Sequence, residues 1–470
     1  MSAPSSPIHG RTRRDFIKTG GSLLIGATGL DPLISAGTAS PARFRLATFR
    51  CDATPPLGET LVWLVKLETI KDPLWLKGVI LEDGGQRYVL ASLDWCLLCN
   101  ESEWSFRETM ARAAGTDASR VAIQCVHQHV APYADEGAHR LLDGAPDSPP
   151  HLTTKFLDGL RARLGEAIGR AVEKLEPFDR VGTGMAKVER VASERRLKGP
   201  DGKIIVRGST GGKNPALAEM PEGDIDPMIR TVTFARGDRP LARLHYYATH
   251  PQTISCDGSS SADFVGMARE AVETEEGVFQ IYFTGCSGNV TVGKYNDETV
   301  EARKQLAARL RQGMRSSIAA TQLAAFEQMI WRVEAVVLPV RTDAEFVNPS
   351  RAWLADPKAP QGNRVYKGAM RLATVARAKT PFHMTSLQVG RAHIVHLPGE
   401  PMLEFQRFAQ EARPGDFVSV AGYGDCGSAY ICTDRAFGEG GYEPTATNLA
   451  PGAEPLVKAA IGRLLGEKAS

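Results

Sequence analysis

Hydrophobic and polar positions alternate along this chain in two rhythms, and the rhythm changes several times between its ends. Leu76 to Leu81 and Arg87 to Leu93 are short apolar runs split by Glu82-Asp83-Gly84-Gly85, a composition that predicts two strands and a hairpin turn. Glu101 to Ala114 then has helical spacing, and Arg120 to Val126 returns to a strand. Strand, helix and strand in that order form the repeating unit of α/β sheets. From Thr154 to Leu175 the apolar residues Leu157, Leu160, Leu164, Ile168, Ala171 and Leu175 recur every three or four positions, which predicts an amphipathic helix.

Between Glu194 and Asp226 the periodicity fades into Gly, Pro and Lys, so a long loop is expected there. Strands follow at Arg230–Ala235, Leu241–Ala248 and Val278–Phe283, with a helix around Val265–Glu275 before the last of them. A further helix carries Val300, Leu306, Leu310, Met314 and Ile318. Met329–Val340, Met384–Val389 and Ala392–Leu397 predict strands, and Leu456–Leu465 a closing helix. The expected fold is mixed α/β (α+β), a single large catalytic domain of mixed β-sheets flanked by helices.

Composition agrees with a large core: 470 residues, 43% hydrophobic and 23% charged. Of the net charge of +2, the first forty residues carry all: Arg11, Arg13, Arg14 and Lys18 against Asp15 and Asp31. The rest is near neutral, with no basic stripe bearing interleaved aromatics, so nucleic acid is not an expected partner. Thr12-Arg13-Arg14-Asp15-Phe16-Ile17-Lys18, a short apolar run from Gly20 to Leu30 and small residues at Ala36–Ser40 resemble a twin-arginine signal. Residues 1–40 are thus expected to engage the twin-arginine export machinery, and 41–470 to form the mature periplasmic or secreted domain. The apolar run is too short and glycine-rich to span a membrane, and no other segment approaches a span.

Eight cysteines are too sparse for a disulfide scaffold. Cys96 and Cys99 are expected to be buried thiols, whereas Cys426 and Cys432 flank Tyr430 closely enough for a local disulfide to be considered. No Gly-x-Ser-x-Gly elbow is present, which argues against a Ser-His-Asp hydrolase.

Three predicted strands end in metal-ligand chemistry: His127-Gln128-His129, Thr249-His250-Pro251 and His396-Leu397-Pro398-Gly399-Glu400. A strand continuing through His127 and His129 would put both imidazoles on one side. Catalytic zinc takes about three nitrogen or oxygen ligands and keeps an open position. A binding protein that abandoned such a site would have no physical reason to keep these costly polar groups together.

These segments belong to a longer ordered series. Ser92-Leu93-Asp94, Val126-His127-Gln128-His129-Val130-Ala131-Pro132, Glu194-Arg195-Arg196, Asp201-Gly202, Asp224-Ile225-Asp226-Pro227, Ala248-Thr249-His250-Pro251, Ser261-Ala262-Asp263-Phe264, Gly285-Cys286-Ser287-Gly288-Asn289-Val290, Pro398-Gly399-Glu400, Ala421-Gly422-Tyr423, Tyr430 and Gly441-Tyr442-Glu443 resemble, in order, the landmarks of the neutral/alkaline ceramidase family. The resemblance implies a zinc ion held by His127, His250, Glu400 and Tyr430, with Tyr423 and Tyr442 as competitors for the tyrosine position. It also implies catalytic roles for His129, Arg195 and Thr291. Asp94, at the end of an apolar strand, reads either as a carboxylate partner for a ligand histidine or as a strand-end turn residue. The implied reaction is hydrolysis of amide or ester bonds in N-acyl sphingoid or related lipids. Two departures weigh on the substrate: Asn289-Val290-Thr291-Val292 lacks the family's Asp-Val-Ser-Pro, and Glu194 replaces an asparagine, adding negative charge near the pocket. The family's enzymes also carry a further carboxyl-terminal domain, so a smaller amide or ester is the alternative substrate.

Overall fold

The structure is a computed structural model and describes residues 42–144, 148–355 and 362–467; the twin-arginine segment lies outside them. Three main sheets follow one another along the chain. The first contains β1 (Phe44–Asp52), β2 (Trp75–Asp83), β3 (Gln86–Leu93), β4 (Val121–Cys125) and β5 (Glu176–Pro177), in the spatial order β4-β3-β2-β1-β5. The second contains β6 (Arg180–Lys187), β7 (Met228–Arg236), β8 (Arg239–Tyr247), β9 (Phe279–Thr284) and β10 (Gln322–Ala325), in the order β9-β8-β7-β6-β10. The third runs β11 (Met329–Val336), β12 (Phe382–Val389), β13 (Ala392–His396) and β14 (Phe417–Ala421).

One plan recurs in all three. Antiparallel neighbours make up most of each sheet, and each has one parallel pair: β3 with β4, β8 with β9, and β13 with β14. A parallel pair needs a crossover, usually a helix. Here the crossovers are Asn100–Ala114, Asp263–Glu276 and Leu403–Glu411. Side chains from the three sheets, among them Leu46, Leu81, Leu90, Phe234, Leu244, Phe283, Leu387 and Ile394, meet in a central apolar core. The opposite face of each sheet is covered by helices: Asn100–Ala114 and Thr154–Val172 on the first, Asp263–Glu276 and Val300–Ala319 on the second, Leu403–Glu411 and Ala453–Leu464 on the third. With both faces covered, β2 reads as an almost continuous buried run rather than an alternating one.

Local signals explain where elements start and stop. Thr153 and Thr299 accept at their hydroxyls from the amides of Phe156 and Ala302 and cap the two long helices. Gly115, at φ +66°, ends Asn100–Ala114 in the left-handed conformation that glycine adopts at least cost.

The stretch expected to be a loop at 194–226 is more ordered than its composition suggests. Ser193–Glu194 pairs with Val290–Thr291, Arg196–Lys198 with Ile204–Val206, and Pro215–Glu219 is a short helix. The fully buried Arg207 guanidinium holds it together by donating to the carbonyls of Glu194, Leu217, Met220, Pro221 and Glu222. Sequence periodicity also gave no sign of Glu136–Asp143, Ala344–Ala355 or Gly362–Ala376, which are helical. No helix among the described residues is long and apolar enough to cross a membrane.

Candidate metal centre

The carboxyl ends of the three parallel pairs converge on one place, as ligand sites do at the strand ends of α/β sheets. Main-chain bonds stitch them together there. Cys125 donates to Tyr423 O at 2.8 Å, Gly422 to Thr284 O at 3.0 Å, and the Thr284 hydroxyl to Val126 O at 2.6 Å. The first sheet delivers His127, the second His250, and the third Glu400, so the tertiary fold, rather than any local motif, assembles the cluster.

His127 Nε2 lies 3.3 Å and His250 Nε2 3.2 Å from the same oxygen, Glu400 Oε2. The far side of each ring is fixed. His127 Nδ1 donates to Cys96 O at 2.8 Å, and His250 Nδ1 donates to Ser287 O at 2.6 Å. A carbonyl can only accept, so both rings are held as Nδ1–H tautomers with the Nε2 lone pair turned toward Glu400. Two nitrogen lone pairs and a carboxylate oxygen therefore face one another in a buried space, an arrangement that needs a positive charge among them. A cation fits, and the donor set of two imidazoles and a carboxylate suits a divalent transition metal.

The electrostatics point the same way. Burial alone would lower His127, yet the Glu400 carboxylate outweighs it and raises the imidazole to about 10. Burial and the nearby Arg195 take His250 down to about 3. Glu400 itself is held well below the usual carboxylate range, its burial overcome by His127 and His250. Glu400 thus calls for one positive charge at this point, held by a proton on His127 Nε2 or by a cation that takes that proton's place.

Tyr430 sits beside these groups because Glu400–Pro401 and Tyr430–Ile431 form a short parallel ladder. Its phenol oxygen is 3.4 Å from His250 Nε2 and accepts from Arg195 Nη1 at 3.0 Å. Tyr423 instead stacks on the His127 ring at 4.4 Å, and its hydroxyl bonds Ser287 Oγ at 2.6 Å, on the outer side of His250. Tyr442 stands farther out, its ring 5.7 Å from that of Tyr430. Among the three tyrosines, Tyr430 is the one whose phenol faces the convergence of lone pairs.

His129 Nε2 is 3.2 Å from His127 Nε2. The two rings do meet, but not through strand periodicity. The ladder stops at Cys125, and His127 turns into the left-handed region at φ +74°. His129 Nδ1 is buried with no partner among the described residues. Burial, then the neighbouring His127 and His250, hold this ring well below its ordinary value, so it is neutral. Arg195 is buried, donates to Tyr430 and keeps Nε unpartnered among the described residues. Thr291 lies behind the cluster: its backbone bridges to His250 and pairs with Ser193, and its enclosed hydroxyl has no partner among the described residues.

Three expectations are corrected. Asp94 does not reach a histidine; its carboxylate is taken by Arg269 through bonds of 2.7 and 2.8 Å and by the Trp75 amide at 2.9 Å. Glu194 turns its carboxylate to the Asp224 amide, 2.8 Å away, and does not line the cleft. Cys426 and Cys432 are free thiols, the first packed in the core beside Cys99 and Cys125, the second in the core under the third sheet.

A cleft of about 240 Å³ leads to Glu400 and Tyr430, walled by Trp63, Leu97, Tyr133, Tyr366 and Met370, with Lys367 and Arg371 along one side. Trp63 packs 5.2 Å from the His129 ring, and both Trp63 and Leu64 have positive φ, 57° and 61°. Strained backbone of this kind is concentrated at functional sites. These wall residues were not legible in the sequence, since Trp63 carries no motif and Gly362–Ala376 resembles an ordinary surface helix.

Three mixed sheets meet at a buried His-His-Glu cluster whose donor set could hold a metal ion. Solved structures share the fold. The chain resembles the neutral ceramidase from Pseudomonas aeruginosa at TM-score 0.64 and 16% identity, over 90% of this chain and 74% of that one. It resembles a ceramidase complexed with C2 at TM-score 0.65 and 16% identity, with the same coverage. The fold is therefore the neutral ceramidase fold. No family model and no curated protein sequence matches the chain.

Proposed function

We propose that this protein is a zinc-dependent hydrolase of amide or ester bonds, ceramidase-like, acting on N-acyl sphingoid or related lipid-type substrates. The observation that carries the reading is the pair of Nδ1–H imidazoles aimed with Glu400 at one point. His127, His250, Glu400 and Tyr430 would hold the ion. Zinc at such a site supplies Lewis-acid polarisation of a carbonyl and lowers the pKa of water to roughly 7.

The protein's own groups supply the rest. His129, neutral through burial and 3.2 Å from His127, takes a proton at a ring nitrogen and returns it to the leaving amine or alcohol, the office of a general base and then a general acid. Arg195 donates to the Tyr430 phenol and offers its remaining N–H to a polar group of the substrate. Thr291 positions His250 through the backbone bridge. Water adds across the C–N or C–O bond, giving a carboxylic acid and the free amine or alcohol. The small cleft favours the second reading, hydrolysis of a smaller amide or ester, because ligand pockets usually run to about 300–1,000 Å³. The twin-arginine-like start of the sequence supports export in folded form to the periplasm or beyond.

The test is hydrolysis by zinc-loaded and chelator-stripped protein of ceramides, other N-acyl lipids, and short amides and esters. Zinc-dependent release of fatty acid from the N-acyl lipids supports the lipid reading, and turnover of the short substrates alone moves the assignment to the smaller ones. Equal rates with and without metal overturn the zinc dependence, and no hydrolysis of any of these substrates by zinc-loaded protein overturns the hydrolase proposal.

A further inference from the structure

The helix Gly362–Ala376 brings to the cleft a charge pair that the hydrolytic chemistry does not use. Lys367 and Arg371 lie four residues apart on the helix Gly362–Ala376, hence on one face, and both line the cleft with Glu400 and Tyr430. Like charges at that spacing repel each other. Arg371 is only 9% exposed, and its Nε is buried with no hydrogen-bond partner among the described residues. Its guanidinium rests 4.6 Å over Phe346 and 5.5 Å from Trp353. Arg341 lies over the same Phe346 ring at 4.5 Å, and Asp343 accompanies it at 3.6 Å. The charge that acts on Lys367 is Arg371 and the one that acts on Arg371 is Arg341, and neither residue has a carboxylate partner among the described residues.

A buried guanidinium with an unsatisfied donor is costly unless something else pairs with it. Planar, weakly hydrated guanidinium is also the group best matched to carboxylate or phosphate-type oxygens. We infer that Lys367 and Arg371 form an anion-binding subsite, and that the substrate carries an anionic group, a carboxylate, sulfonate or phosphate, on the amine or alcohol half of its scissile bond. This inference rests on the hydrolase reading for the position of the bond, but the subsite itself does not. Tyr133, Tyr366 and Met370 line the same cleft and supply an apolar wall for the short connecting part. Lys367, exposed at its surface, is pulled below its ordinary value by partial desolvation and by Arg371.

The experiment compares three amides with one acyl chain: N-dodecanoylglycine, N-dodecanoyltaurine and the neutral N-dodecanoylethanolamine. Binding to the purified protein is measured by calorimetry, and hydrolysis by zinc-loaded protein is measured separately. The expected result is that a carboxylate or sulfonate conjugate binds at least about tenfold more tightly than the ethanolamide, the scale of a charge-assisted hydrogen bond. In Arg371→Gln and, separately, Lys367→Gln that ratio should fall toward one. The Lys367 variant keeps the question open should the buried Arg371 variant fail to fold. Equal binding of all three amides, or a ratio that survives in a folded variant, overturns the subsite. Selective binding of an anionic conjugate without zinc-dependent cleavage of any amide leaves the subsite standing and removes the hydrolase reading instead.

Discussion

Glu400 and Tyr430 are register partners in a parallel ladder only two residues long. That pairing brings a carboxylate from the end of β13 and a phenol from a segment thirty positions later to the same side of His250. Gly399 at φ +62° makes the turn, and its amide bonds Asp425 O while Glu400 N bonds Ala429 O. The position of Tyr430 is therefore set by backbone, and its hydroxyl can be removed without moving the ring.

Tyr430→Phe should fold normally and bind zinc about 10- to 100-fold more weakly, the range typical of groups that support a metal site. Competition with a chromogenic chelator measures this. An unchanged affinity would show that the phenol contributes nothing to the centre.

Asp94→Asn tests the reassignment of that carboxylate. It leaves Arg269, which is fully buried, without its bidentate partner. Breaking a buried pair by removing one member typically costs about 3–5 kcal/mol. Denaturant unfolding should show a loss of that order, while the protein that remains folded keeps its full zinc content. Loss of zinc with normal stability would return Asp94 to the metal site.

Arg207→Met should loosen the wall at 194–226, since five carbonyls lose one shared donor. Limited proteolysis is expected to cut between residues 199 and 223 in the variant and to spare them in the parent. Identical digestion patterns would mean that the short strands hold this segment without the guanidinium.

Asp135 gives a pH signature remote from the metal. Burial raises this carboxyl to about 7, against the hydrogen bond from Asn100 that lowers it. The folded state thus holds a proton that the unfolded chain releases near pH 4. The associated stability is present below about pH 4 and is lost as pH rises through about 7, at up to about 1.4 kcal/mol per pH unit. Asparagine does not titrate and still caps the helix Glu136–Asp143. Relative to the parent, Asp135→Asn should therefore gain stability between pH 5 and pH 8 in urea titrations. A pH-independent difference would contradict the raised value.

Much of this architecture was legible in the chain because strand and helix spacing are local properties. The hairpin at Glu82–Gly85, the Thr154–Val172 helix and the strands that precede His127, His250 and Glu400 all follow from period and punctuation. The mixed class follows from their order. What spacing cannot carry is pairing between distant segments. Asp94 sits at a strand end like His127, His250 and Glu400, and only the position of Arg269 distinguishes it. His127 and His129 meet through a left-handed residue that a period of two does not anticipate. The cleft wall was invisible for a related reason: Tyr366, Lys367, Met370 and Arg371 lie on a helix whose own pattern says nothing about what it covers.

The central claim is a metal ion at the convergence of the three sheets, and anomalous diffraction tests it most directly. Crystals of zinc-loaded protein should give a single strong difference peak at the zinc edge, bounded by His127 Nε2, His250 Nε2, Glu400 and Tyr430. The peak should vanish in His250→Ala, which leaves one nitrogen and two oxygen donors to compete with water. A zinc-loaded crystal with no peak at these residues, or with its ordered zinc elsewhere in the molecule, would contradict the account.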